Sequence, residues 1–235
     1  MVIDEFLQPE FAREVVAAYP SFEGALDKGR AFDFVNEKKK VQVTDSSKFP
    51  PAVKRLEQAI ASQSFRDALS QITGIPKLLA DEQLVGGGMH VMGSHGRLDV
   101  HVDFNLIEER QLHRRLNILV YLNPVWGAWG GHIELWDRES SAATTPFCPP
   151  STAASSSRPA SAYHGVAAVK CPDDVARKKL RRLLLPAKPR RLGRRQGPQH
   201  HLPRPPRRAP ARPRPHARRT PATPRDGTGR PRPPR

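Results

Sequence analysis

The stretch LDVHVDFN, residues 98–105, places a histidine and an aspartate two positions apart among apolar neighbours. In a β-strand, side chains two positions apart point to the same face, so we expect His101 and Asp103 to project together. An imidazole and a carboxylate on one face form either a hydrogen-bonded structural pair or two ligands of one metal ion. The pair by itself leaves both interpretations open.

The surrounding sequence changes from helical to strand-like patterns at about this point. Apolar residues at helical spacing predict helices within residues 8–22 and 50–74. Branched and aromatic residues then predict strands at RLNILVYLN, residues 115–123, and HIELWD, residues 132–137. Helices followed by strands favour an α+β domain in which the helices buttress a mostly antiparallel sheet or barrel.

The charge of the chain is unevenly distributed. The formal net charge is +16, but residues 181–235 hold 18 Arg or Lys, one Asp and 14 Pro. We therefore predict a folded domain over residues 1–180 and a disordered Arg/Pro-rich tail over residues 181–235. The start of the sequence does not resemble a secretory signal, and no apolar run approaches the length of a membrane span, so we expect a soluble cytoplasmic protein.

A third potential ligand lies 61 positions after Asp103. His164, in the stretch YHGV, completes an HxD…H set, the pattern of the two-histidine, one-carboxylate triad that binds non-haem Fe(II). Arg177 follows 13 positions later, and its guanidinium has the fork geometry that suits a carboxylate.

Together these residues resemble the prolyl-hydroxylase-like 2-oxoglutarate- and Fe(II)-dependent dioxygenases. The motifs that carry the resemblance occur in order as GGGMH, LDVHVDFN, LHRRLNILVYLN, WGGHIELWD and YHGV. The resemblance implies N-terminal helices packed on a double-stranded β-helix (a jelly-roll, cupin-like core). It also implies that His101, Asp103 and His164 hold iron, and that Arg177 and Tyr121 bind 2-oxoglutarate.

The resemblance further implies that O₂ is the oxidant, ascorbate the reductant, and a protein or a small molecule the substrate. The reaction implied is hydroxylation of an aliphatic C–H bond, with a prolyl residue or a proline-like compound as the suggested substrate.

Two segments depart from the pattern of this family. Residues 140–160 are small, polar and Pro-rich where the family has an apolar strand, and RRLLLPAKPRR, residues 181–191, replaces a final apolar strand. Reading either segment in a shifted frame can give family-like strings, so we hypothesise frameshifts near residues 139–141, 160–161 and 180. We therefore predict a core incomplete at its C-terminal strands, with a flexible segment at residues 140–160. Of the three ligands, we expect His164 to be the one most prone to misplacement, and we expect weak or no dioxygenase activity.

An alternative function belongs to another class. The basic tail could make the chain a nucleic-acid-binding protein, attracted to phosphates without sequence preference and sensitive to salt.

Two other histidines, His90 and His95, either line the pocket or lie in exposed loops.

Overall fold

The computed structural model describes residues 2–103, 106–107, 112–126, 128–136, 143–147, 154–157 and 163–186. None of the helices in these ranges combines the length and the apolar character that a bilayer-spanning helix needs. The predicted tail from residue 187 onward lies outside the described residues.

Four α-helices and one short 3-10 helix occupy the N-terminal third. They are α1 (Pro9–Ala18), α2 (Phe22–Leu26), the 3-10 turn (Ser46–Lys48), α3 (Pro51–Ala61) and α4 (Gln63–Thr73). The predicted helices are confirmed, and the second region contains two helices because Ser62 separates them. The Ser62 hydroxyl accepts a hydrogen bond from the Phe65 amide and caps α4, whose C-terminal end is Gly74 in the left-handed conformation.

The described residues also contain thirteen strands, of which the first precedes α1 and the others lie between or after the helices. They are β1 (Val2–Ile3), β2 (Arg30–Phe32), β3 (Glu37–Val43), β4 (Leu78–Ala80), β5 (Gly88–His101), β6 (Leu106–Ile107), β7 (Leu112–His113), β8 (Leu116–Tyr121), β9 (Ile133–Trp136), β10 (Ala143–Phe147), β11 (Ala154–Ser157), β12 (Tyr163–Val166) and β13 (Arg177–Pro186).

Eleven of the described strands form one antiparallel sheet. Its main path runs β1-β11-β8-β13-β5-β12-β9-β10. Outside this path, β3 pairs with β5 and with β2, and β4 pairs with β13, while β6 and β7 form a separate pair. Helices packed on an antiparallel sheet confirm the predicted α+β class.

The main core lies between the helices and the central strands of the sheet. Val15 of α1 and Leu56 of α3 are buried there with Val91 of β5, Val120 of β8 and Leu180 of β13. The longest strand, β5, therefore has its first half fixed in the core. Its second half continues to His101, at one end of the candidate site.

The predicted boundary at residue 180 is wrong, because β13 continues to Pro186. The strand pairs with β8, β5 and β4 across its length. Leu184 enters the main core, whereas Leu183 and Leu185 pack with Leu112 on the other side. A strand buried on both faces has no polar–apolar alternation, so the leucine run supplies the final apolar strand that we predicted to be missing.

The segment at residues 140–160 also differs from the flexible loop that we expected. Residues 143–147 pair with β9, and residues 154–157 pair with β8 and β1. Edge strands offer unpaired backbone N–H and C=O groups, and pairing with them does not require an apolar sequence. The remaining residues of this segment lie outside the described residues.

Candidate metal centre and cosubstrate pocket

His101 and Asp103 lie where β5 ends. His101 is the last residue of the strand, and its Nδ1 lies 2.9 Å from the backbone oxygen of Asp99. The other ring nitrogen, Nε2, lies 3.5 Å from Oδ1 of Asp103. The two side chains therefore share one face of the chain, as the spacing predicts.

His164 reaches the same place from the neighbouring strand. It lies in β12 directly opposite His101 in the antiparallel register, and the two imidazole centroids are 4.4 Å apart. The Nε2 atom of His164 lies 3.8 Å from Oδ2 of Asp103. The expected displacement of His164 is not seen, because β12 is paired with β5 on one side and β9 on the other.

These three residues form a compact ligand set. One potential ligand atom from each, two imidazole nitrogens and one carboxylate oxygen, lie within 4.8 Å of one another. Each side chain is partly buried, so water has limited access to the group. Two neutral nitrogens and one anionic oxygen suit a divalent transition metal, and three protein ligands leave coordination positions open.

Two guanidinium groups contact the carboxylate of Asp103. Arg181 donates a hydrogen bond from Nη2 to Oδ2, and Nη2 of Arg114 lies 3.4 Å from the same oxygen. Burial would raise the pKa of Asp103, but the hydrogen bond from His101 and the two guanidinium charges outweigh it. The pKa of Asp103 therefore lies well below its ordinary value, and the carboxylate is ionised.

Arg177 and Tyr121 lie together on the neighbouring strands β13 and β8. The guanidinium carbon of Arg177 is 5.0 Å from the centroid of the Tyr121 ring, and the arginine is only 2% exposed. Its Nε and Nη2 atoms have no hydrogen-bond partner in the described structure. A side chain at Gly131 would approach Cδ of Arg177 to 3.0 Å, so that glycine leaves room for the arginine.

A cavity is lined by both this arginine and His164, one of the three candidate metal ligands. Its lining includes Arg177 and His164 together with Lys40, His90, Lys179 and Arg181. No acidic side chain is among the described residues that line it. A cavity with this lining is suited to an anion, and a carboxylate would satisfy the unpaired donors of Arg177.

Sequence reasoning did not identify Arg181 as a residue of this cavity, and it took Lys179 as a departure from the family pattern that disfavours cosubstrate binding. Lys179 and Arg181 follow Arg177 at intervals of two in a strand, which places all three side chains on one face. This spacing is the feature of the sequence from which their shared position could have been predicted. Burial lowers the pKa of Lys179 well below its ordinary value, and the charges of Arg177 and Arg181 lower it further. The sequence left the positions of two other histidines undecided: His90 is buried in the cavity wall, and His95 is exposed.

Comparison with known proteins gives a family match over part of this chain. Residues 87–183 match the family model of the 2OG-Fe(II) oxygenase superfamily. The matched segment contains all five predicted site residues. It also contains β5, β8, β12 and most of β13. No curated protein matches the chain.

Several solved structures share the fold of this chain. A Pseudomonas putida prolyl-4-hydroxylase is similar with a TM-score of 0.59 and 13% identity, over 80% of this chain and 92% of that one. A Trichoplax adhaerens prolyl hydroxylase, solved with a fragment of the hypoxia-inducible-factor oxygen degradation domain, gives a TM-score of 0.54 and 16% identity, over 78% and 82% of the two chains. A Burkholderia pseudomallei oxidoreductase of the 2OG-Fe(II) oxygenase family gives a TM-score of 0.52 and 10% identity, over 78% of this chain and 84% of that one.

These similarities show the double-stranded β-helix fold that the resemblance implied. They give no support to the alternative of a nucleic-acid-binding protein.

Proposed function

We propose that this chain is a 2-oxoglutarate- and Fe(II)-dependent dioxygenase that hydroxylates an aliphatic C–H bond. The observation that carries the proposal is the convergence of His101, Asp103 and His164, together with a cationic cavity that is lined by His164 and by Arg177. Two buried donors of that arginine have no hydrogen-bond partner in the described structure. The family match over residues 87–183 supports the same reaction class.

In this proposal each residue has a separate task. His101, Asp103 and His164 hold Fe(II), which when bound supplies the oxidising chemistry with O₂ and 2-oxoglutarate. Arg177 binds the distal carboxylate of 2-oxoglutarate, and Tyr121, whose ring faces the guanidinium, orients that end of the cosubstrate. The buried walls exclude water from the reacting groups.

The substrate that we propose is a prolyl residue in a peptide or a proline-like small molecule. Support comes from the similar solved structures, two of which are prolyl hydroxylases from Pseudomonas putida and Trichoplax adhaerens. We also propose ascorbate as the reductant and a cytoplasmic location. A panel of prolyl peptides and free proline, each assayed for a mass gain of one oxygen atom, would identify the substrate class.

The first test is succinate formation from 2-oxoglutarate in the presence of Fe(II) and O₂. We expect His164→Asn to lower the rate by more than about 100-fold. The substitution removes a proposed metal ligand, and loss of a residue that only hydrogen-bonds to a metal ligand already costs about 10–100-fold. His95→Asn is the matched control, since His95 is exposed and has a positive φ of 63°, a conformation that asparagine tolerates. Equal rates for the parent and His164→Asn would reject the proposed metal site.

A further inference from the structure

Arg181 is held in a position from which it reaches the candidate metal centre. Its Nε donates to Oδ1 of Asn117 at 2.9 Å, and its Nη2 donates to Oδ2 of Asp103. The side chains of Arg181 and Asp103 are both 11% exposed, so water screens their contact weakly. Asn117 lies in β8, the neighbour of β13, so the pairing of these two strands fixes the direction of Arg181.

The charge balance around Asp103 is already satisfied without a metal ion. Arg114, with a side chain only 1% exposed, lies 3.4 Å from the same oxygen that Arg181 contacts. His101 faces the other oxygen of the carboxylate. Lys40, which also lines the cavity, has its own partner in Glu37. The Asp103 carboxylate is therefore compensated by two fixed cations.

A divalent ion at this carboxylate would meet two opposing effects. The ion must share the lone pairs of Oδ2 with Arg181 or displace the guanidinium from them. It must also approach the positive charge of Arg181, which is in direct contact with Asp103. At separations of a few ångströms and with little screening, repulsion between like charges is substantial.

We propose that Arg181 acts as an internal counter-cation, which occupies Asp103 in the metal-free protein and lowers the affinity of the centre for divalent metal. The inference rests on the proposed function, because it takes His101, Asp103 and His164 as the metal ligands. Loading the centre requires Arg181 to release Oδ2 or to share it with the ion.

The experiment is a titration with Co(II) alone, followed by visible absorption and by calorimetry, which needs neither 2-oxoglutarate nor turnover. We expect Arg181→Gln to bind Co(II) at least about tenfold more tightly than the parent, because a neutral amide keeps a partner for Asn117 but removes the opposing charge. The metal-free form of this variant should melt at a lower temperature, and Co(II) should stabilise it more than it stabilises the parent.

Three further variants separate charge from shape and from general effects. Arg181→Leu, a second neutral variant, should change the affinity in the same direction. Arg181→Lys keeps the charge and should bind Co(II) within about threefold of the parent. Arg13→Gln removes an exposed arginine that pairs with Glu10 on α1 and should leave the affinity unchanged.

The outcomes distinguish this inference from the proposed function. Tighter binding by both neutral variants, without a gain in Arg181→Lys, supports the counter-cation role. Equal or weaker binding of Co(II) by the neutral variants, while the parent still binds Co(II), overturns the inference and leaves the proposed metal site intact. An absence of Co(II) binding in the parent and in every variant overturns both.

Discussion

At the scale of single residues, the most informative group is the buried guanidinium of Arg177. Two of its nitrogen atoms are enclosed without a hydrogen-bond partner in the described structure, and an unpaired buried donor costs about 1–3 kcal/mol. A binding site can sustain such a cost when a ligand satisfies the donors. The same residue should therefore lower the stability of the ligand-free protein and create affinity for a carboxylate.

This trade-off gives a prediction for Arg177→Met, which keeps most of the side-chain volume. We expect the free energy of unfolding of the ligand-free protein to stay equal or rise by about 1 kcal/mol, because the unpaired donors are removed and only a cation–π contact is lost. The stabilisation by added 2-oxoglutarate should disappear. Urea unfolding with and without 2-oxoglutarate measures both effects.

Arg55→Met is the matched control, because Arg55 is half-exposed and forms a surface pair with Glu14 as well as a cation–π contact with Phe11. It should change stability by no more than about 0.5 kcal/mol and preserve the response to 2-oxoglutarate. A clear loss of stability in Arg177→Met, with the response to 2-oxoglutarate retained, would contradict the role given to this residue.

At the scale of elements, β13 connects the fold to the site. It carries Arg177, Lys179 and Arg181 toward the cavity, and it buries Leu180 and Leu184 beneath the helices. The strand also pairs with β5, which ends at His101, and with β8, which carries Tyr121. The position of Arg177, the proposed cosubstrate ligand, relative to the proposed metal ligands therefore depends on the register of a single central strand.

Truncation within β13 tests this dependence. A chain ending at residue 186 should fold, whereas one ending at residue 180 should not, because it loses three buried leucines at positions 183–185. Each fully buried leucine contributes about 1.5–3 kcal/mol, and the sum is comparable with the whole net stability of a domain, about 5–15 kcal/mol. Circular dichroism and thermal unfolding of the two chains, with the full chain as control, would check it. Equal unfolding temperatures would show that residues 181–186 are dispensable.

The same elements show what sequence alone could and could not provide. The helices α1, α3 and α4 were predictable because their apolar residues repeat at helical spacing and their ends carry a proline, a capping serine or a glycine. The convergence of His101, Asp103 and His164 was predictable from the HxD spacing and a distant histidine. Strand β13 was not, because its leucines lie between arginines and read as the start of a basic tail. The contact of Arg181 with Asp103 joins residues 78 positions apart, and it follows only from the strand register.

At the scale of the whole molecule, the corrected boundary redistributes the charge. Residues 187–235 contain 16 Arg or Lys and one Asp, so they carry +15 of the total of +16, and residues 1–186 are left with a net charge of +1. The cationic cavity is therefore a local feature of a nearly neutral domain. Any general affinity of the chain for polyanions must come mainly from residues 187–235.

Deletion of residues 187–235 tests whether the two parts act independently. The full chain should bind duplex DNA at low salt with an affinity that falls steeply as salt rises, because phosphate contacts by Arg and Lys release counterions. The shortened chain should lose most of this binding, since its net charge is close to zero, while its Co(II) affinity and its rate of succinate formation stay within about twofold of the full chain. Fluorescence anisotropy with labelled DNA at several salt concentrations, beside the metal titration, measures both parts on the same samples.

DNA binding that survives the deletion would place a nucleic-acid surface on the folded domain. A fall in succinate formation with Co(II) affinity unchanged would show instead that the basic segment takes part in turnover, which the proposed division of the chain excludes.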